Sequence, residues 1–193
     1  GACLSWGLPN IQSGSPKPQE KNRNLLGLLS HRPVQPALWA GFTFGLGIGC
    51  LNTFISPFLQ ASHIGTLGSF FVVYTVSSIG WRLVAGRLSD GHRPAYVMTP
   101  ALLLYGSGLT ILSLLAYMTL HWQPAAHPNN WHLLVGFFLG SGHGLFYPAL
   151  STMTVRRTRD FASPGSATAG FTACIDLGIL TGSAFLGYLA HHF

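Results

Sequence analysis

Long apolar stretches alternate with short basic ones along this chain. Pro33 to Trp81 holds no Asp, Glu, Lys or Arg, and neither does Pro94 to Val155. Phe161 to Phe193 holds one such residue, Asp176. The ten Lys and Arg residues fall in three clusters: Lys17, Lys21, Arg23 and Arg32; Arg82, Arg87 and Arg93; Arg156, Arg157 and Arg159. A soluble domain must cover itself with solvated side chains and cannot keep such stretches uncharged. A bilayer-spanning chain must keep them so, because a charge at the hydrocarbon centre costs roughly 2.5–3.5 kcal/mol. The gaps therefore predict spans, and the clusters predict loops.

A span needs about 20 mostly apolar residues. The first gap accommodates two, at about 37–60 and 66–86, with a hairpin near Gln60 to Gly65. The second accommodates two more, at about 97–120 and 132–154. Their connection carries Pro124, Pro128, Asn129 and Asn130, which are turn residues, between Trp122 and Trp131, which suit a membrane interface. A fifth span covers about 166–190. Five spans alternate sides, so all three basic clusters share one side, which the positive-inside rule makes the cytoplasm. The N-terminus is then expected inside and the C-terminus outside.

Composition agrees. Charged residues make up 7% of the chain, against about 25% in soluble domains. The net charge of +6 does not point to nucleic acid, because the basic residues sit at span ends and form no basic face. Cys3, Cys50 and Cys174 are scattered, and read as small core residues rather than a disulfide framework or a metal site.

The glycines contain a repeat. The first span reads Gly41-Phe-Thr-Phe-Gly45-Leu-Gly47-Ile-Gly49, and the fourth reads Gly136-Phe-Phe-Leu-Gly140-Ser-Gly142-His-Gly144. Both fit G-F-x-x-G-x-G-x-G, and both are followed by a proline, Pro57 or Pro148. Small residues let membrane helices approach closely, which explains either copy alone. The pair says more. The first span runs outward and the fourth inward, so the copies are related by inverted topology. That is the repeat pattern of secondary transporters, whose site lies near mid-membrane.

The second basic cluster reads Arg82-Leu-Val-Ala-Gly86-Arg87-Leu88-Ser89-Asp90-Gly91-His92-Arg93-Pro94. It resembles the loop signature of the major facilitator superfamily, G-x-L-x-D-R-x-G-R/K. Gly86, Leu88, Asp90 and Arg93 match in order; Gly91 replaces the Arg after the Asp, and the distal end is compressed. Gly136 to Arg157 is similar to that family's tenth helix, and Gly165 to Gly187 to its eleventh. Gly178-x3-Gly182-Ser183 is similar to an antiporter pattern that has Pro where this chain has Ser183. The chain resembles bacterial arabinose-efflux-like permeases of this superfamily. The resemblance implies an all-α polytopic bundle, here about five spans of a twelve-helix fold. Residues 1–36 would be the end of a preceding helix plus a cytoplasmic linker, and 37–193 the C-terminal half-bundle. It implies a missing N-terminal half as partner, beside the lipid bilayer, a small-molecule substrate and protons. The expected location is a bacterial inner membrane.

Several residues could carry chemistry. Asp176 is the only carboxylate inside a predicted span, and could couple protons or meet substrate, or simply brace the bundle. His143 lies mid-span in the second glycine run and could relay protons, or bond a neighbouring helix. Asn52, Thr53 and Tyr147 hold comparable places on the repeat-related helices and could bond substrate. Asp90 with Arg82, Arg87, Arg93, Arg156 and Arg157 makes a cytoplasmic charge cluster. The resemblance implies that Gly86, Arg87, Asp90, Arg93 and Arg156 act there as a conformational latch. His121, His127 and His132 read as solvated residues of one outer loop. Ser141 near His143 hints at an intramembrane protease, but residues two apart on a helix lie about 200° around it, on opposite faces, too far for a nucleophile and its base. No catalytic residue, metal or cofactor is expected, and no phosphate-binding loop occurs.

Together these features predict a proton-coupled secondary transporter exporting a small molecule by alternating access. A truncated, non-transporting membrane protein that dimerises or scaffolds is the alternative.

Overall fold

A computed structural model describes residues 32–91, 94–121, 130–159 and 163–192. Among these, five helices follow one another: α1 (Gln35–Ser62), α2 (Leu67–Gly91), α3 (Pro94–His121), α4 (Trp131–Thr158) and α5 (Pro164–His192). The five helices are the number that the charge-free gaps predict. Each is long and apolar enough to cross a bilayer.

Local chemistry sets the helix starts. Pro36, Pro94 and Pro164 lie in first turns, where a missing N–H costs nothing. Thr66 caps α2, its Oγ1 accepting from Ser69 N at 3.3 Å. Ser163 caps α5 in the same way, accepting from Ser166 N at 3.2 Å. The two caps, Thr66-Leu-Gly-Ser69 and Ser163-Pro-Gly-Ser166, share one pattern. α1 ends at His63, which takes a left-handed φ of 52° and turns the chain into α2.

Packing follows the glycines. α1 lies along α5, and α4 lies along both α2 and α3. A Cβ at Gly45 or Gly49 would strike the backbone of Ile175 or Ile179 on α5. A Cβ at Gly140 or Gly144 would strike the backbone of Tyr74 or Ser78 on α2. The third glycines of both runs, Gly47 and Gly142, face the same residue of α3, Tyr105. Equivalent glycines thus do equivalent work: α1 crosses α5 as α4 crosses α2. The matching caps on α2 and α5 extend the repeat beyond the glycine runs.

The surface is apolar. Leu83 and Leu103 are 70% exposed, Leu180 66% and Trp39 65%. Such a surface suits lipid, where apolar exposure carries no penalty. Several buried hydroxyls bond within their own helices, as Ser141 does to the Phe137 carbonyl at 2.6 Å and Thr154 to Leu150 at 2.9 Å.

Candidate functional site at the centre of the bundle

Register places the site. Gly136, Gly140 and Gly144 meet Phe70, Tyr74 and Ser78 in order, so α2 and α4 run parallel. His143 is the thirteenth of the 28 residues of α4, near its middle. Tyr74 and Arg82 of α2 reach it from either side along the axis. The Tyr74 hydroxyl bonds His143 Nδ1. Arg82 Nη2 lies 3.2 Å from His143 Nε2. The Arg82 guanidinium also stands over the Tyr147 ring, 5.4 Å from its centroid, a cation–π distance.

These contacts determine the imidazole's tautomer. A guanidinium has only donors, so Nε2 must accept. The ring proton then sits on Nδ1 and donates to Tyr74 Oη. Binding a second proton at Nε2 requires Arg82 to leave.

Aromatic rings wall the cluster. Phe44 of α1 packs edge-on against His143 at 5.3 Å and against Phe146 at 4.6 Å. Tyr147 meets Phe171 of α5 at 5.7 Å. Tyr105 of α3 packs on Phe44 at 5.5 Å and is only 8% exposed, yet its hydroxyl has no partner among the described residues. Three helices thus converge on His143, with α3 and α5 one ring behind.

The structure brings together two of the four predicted central residues, His143 and Tyr147. Asp176 lies on the exposed side of α5, while its neighbours Ile175, Gly178 and Gly182 pack on α1. Asn52 is likewise exposed, on α1. Tyr74 has no counterpart in the sequence reading. Only the parallel register of α2 and α4 reveals it, and that register is carried by backbone contact at Gly140. Arg82 is exposed, and its guanidinium turns toward His143; the side chains of Arg87 and Asp90, with which it was expected to cluster, lie outside the described residues.

The motif after Arg82 is helical. α2 continues through Gly91, so Gly86, Arg87 and Asp90 lie on its last turns rather than in a loop. Gly86 is exposed, with open space where a side chain would project. The side chains of Arg87 and Asp90, and all of Arg93, lie outside the described residues. Arg156 is exposed at the end of α4, and Arg157 donates to the Pro33 carbonyl at 3.2 Å, tying α4 to the turn before α1.

His132 also differs from expectation. It is the second residue of α4, is 5% exposed, and its Nε2 lies 2.8 Å from Ser69 Oγ. Its ring seats on Gly65, where a Cβ would collide with it. It is buried because the α1–α2 turn folds over it. His121 is exposed beside Tyr117, and His127 lies outside the described residues. Separately, a groove of about 330 Å³ lies between α1 and α5, lined by Gln35, Leu38, Trp39, Phe42 and Cys174. It is apolar, and no side chain of the His143 cluster lines it.

Fold and centre together define an integral membrane protein: five apolar helices, knitted by a glycine repeat, around a polar cluster. A model of the Major Facilitator Superfamily matches residues 37–193, and the chain belongs to that family of transporters. No curated protein and no solved structure matches it. Family membership points to a transporter rather than an enzyme.

Proposed function

We propose that this chain works in proton-coupled export of a small molecule, by alternating access, with His143 as the coupling group. The carrying observation is the shared lone pair on His143 Nε2. It either accepts from Arg82, at 3.2 Å, or binds a proton. Protonation therefore releases Arg82 for another partner, which links proton binding to substrate binding without any further device. Tyr74 holds the ring in place, and Tyr147 and Phe44 form the apolar wall. Asn52 is proposed as the α1 counterpart of Tyr147, because both follow the first glycine of their runs by eleven residues (41 to 52, 136 to 147). Asp176 has none of His143's polar neighbours, so we assign it an accessory role.

The remaining parts of the reading are proposals of the same kind. The bilayer is a bacterial inner membrane with the basic clusters on the cytoplasmic side, as charge bias supports. Asp90 with Gly86, Arg87, Arg93 and Arg156 forms the cytoplasmic latch, at the shared end of α2 and α4. An N-terminal half, joined through residues 1–36 as the end of a preceding helix plus a cytoplasmic linker, completes the pathway.

The test is flux. Proteoliposomes loaded with a pH-sensitive dye are challenged with a panel of small organic molecules. A compound that evokes a lumenal pH change through the unmodified protein, but not through His143→Gln, meets the expectation, while Asp176→Asn keeps the response. Transport with no accompanying pH change would remove proton coupling. Absence of any transport, with a stable dimer in detergent, would favour the scaffold reading.

A further inference from the structure

We infer that the substrate carries an anionic group, a carboxylate or phosphate, which Arg82 binds when His143 lets it go. This rests on the transport reading of the same cluster and names its substrate class.

The argument begins with the donors of Arg82. A guanidinium offers five N–H groups in a planar fork suited to a carboxylate or phosphate. One is used, toward His143 Nε2. The π face of the group lies over Tyr147. Among the described residues no carboxylate contacts Arg82, and no carbonyl or hydroxyl takes its remaining donors. Asp176, on exposed α5, is not in contact with it. Among the described residues the cation is thus matched only by a neutral imidazole and a ring, directly after a segment free of charge from residue 33 to 81.

Direction argues against simple snorkelling. Long basic side chains near the ends of spans turn toward the headgroups. Arg82 stands four residues before the end of the apolar span Leu67–Gly86, near enough to turn outward. Its side chain reaches back toward mid-helix, since His143 lies level with Ser78 rather than with residue 82. The groups around His143 and Arg82 suit the same ligand. Tyr74 and Tyr147 present phenols there, and Tyr105, one ring away behind Phe44, has a buried hydroxyl with no partner among the described residues. Phenols and a guanidinium donate to anionic oxygen, and no described group there would repel it. Phe44 and Phe171 provide an apolar wall for the rest of the molecule.

The test uses three molecules of one shape and different charge: benzoate, benzamide and benzylamine, with phenyl phosphate as a second anion. Thermal unfolding of the full chain is followed in nanodiscs of zwitterionic lipid. An anion that binds the folded state raises the midpoint with concentration. We expect benzoate or phenyl phosphate to do so, and benzamide and benzylamine not to. Arg82→Gln is expected to weaken the anion by about ten-fold or more, the loss typical of a bidentate charged pair. Arg82→Lys retains the charge without the fork and falls between. Arg159→Gln, a cation at the far end of α4, leaves binding unchanged. The comparison of probes on the unmodified protein stands even if Arg82→Gln does not fold.

Equal or stronger stabilisation by benzamide or benzylamine overturns the inference, as does no response to either anion. Loss of the anion's effect when phosphatidylglycerol is included assigns Arg82 to a lipid headgroup and also overturns it. Anion binding without flux would sink the transport reading while leaving this site intact. Proton-coupled flux of cations alone would do the reverse.

Discussion

At the residue scale the glycines separate into two kinds. Gly45, Gly49, Gly140 and Gly144 lie where a methyl would meet backbone of the neighbouring helix, which cannot swing aside. Gly68, Gly80 and Gly86 face open space. Gly140→Ala should therefore destabilise the bundle by about 1–3 kcal/mol, the range for overpacking. Gly80→Ala should be neutral or stabilise by up to about 1 kcal/mol, because alanine is the better helix former. Reversible unfolding in mixed micelles distinguishes the two; equal effects would mean that the crossings are not as close as described. The same scale holds the imidazole. Nitrogen NMR of His143 in bilayers at neutral pH should show a proton on Nδ1 and a bare Nε2. The opposite tautomer would deny the Arg82 contact.

At the element scale, α4 is the hub. It receives α2 and α3 along its length, Phe44 of α1 at its middle, and the α1–α2 turn at its start through His132. His132→Ala should cost about 1–3 kcal/mol by leaving Ser69 underpaired and a void beneath Gly65. Combined with Ser69→Ala, the loss should be less than the sum of the two, and an additive cycle would show that the pair does not interact. The helices themselves were legible in the charge-free gaps, because the bilayer forbids charge so strictly that composition alone marks a span. The glycine repeat was legible too, though its meaning at the contacts was not. What escaped was which helices touch. A motif names residues within one element, while the pairing of Tyr74 with His143 depends on the register between two. For the same reason His132 looked like a loop residue, since nothing in its neighbours announces the turn that covers it. Arg82 was grouped with the basic cluster that follows it, because sequence distance says nothing about the direction of a long side chain.

At the scale of the whole molecule, the fold is a set of paired crossings, α1 on α5 and α4 on α2, with aromatic contact between α1 and α4. His143, Arg82 and Tyr147 sit beside the Phe44 contact. If this half rocks against the proposed N-terminal half, the cluster meets water from each side in turn. Cysteine accessibility tests this most directly. Cys3, Cys50 and Cys174 are replaced by alanine, Tyr147 is replaced by cysteine, and a membrane-impermeant maleimide is applied to sealed vesicles of known orientation from one face or the other. Alternating access predicts labelling from both faces. Labelling from neither, or from one face however long the exposure, would contradict a transport centre at His143 and leave the cluster as a brace between helices.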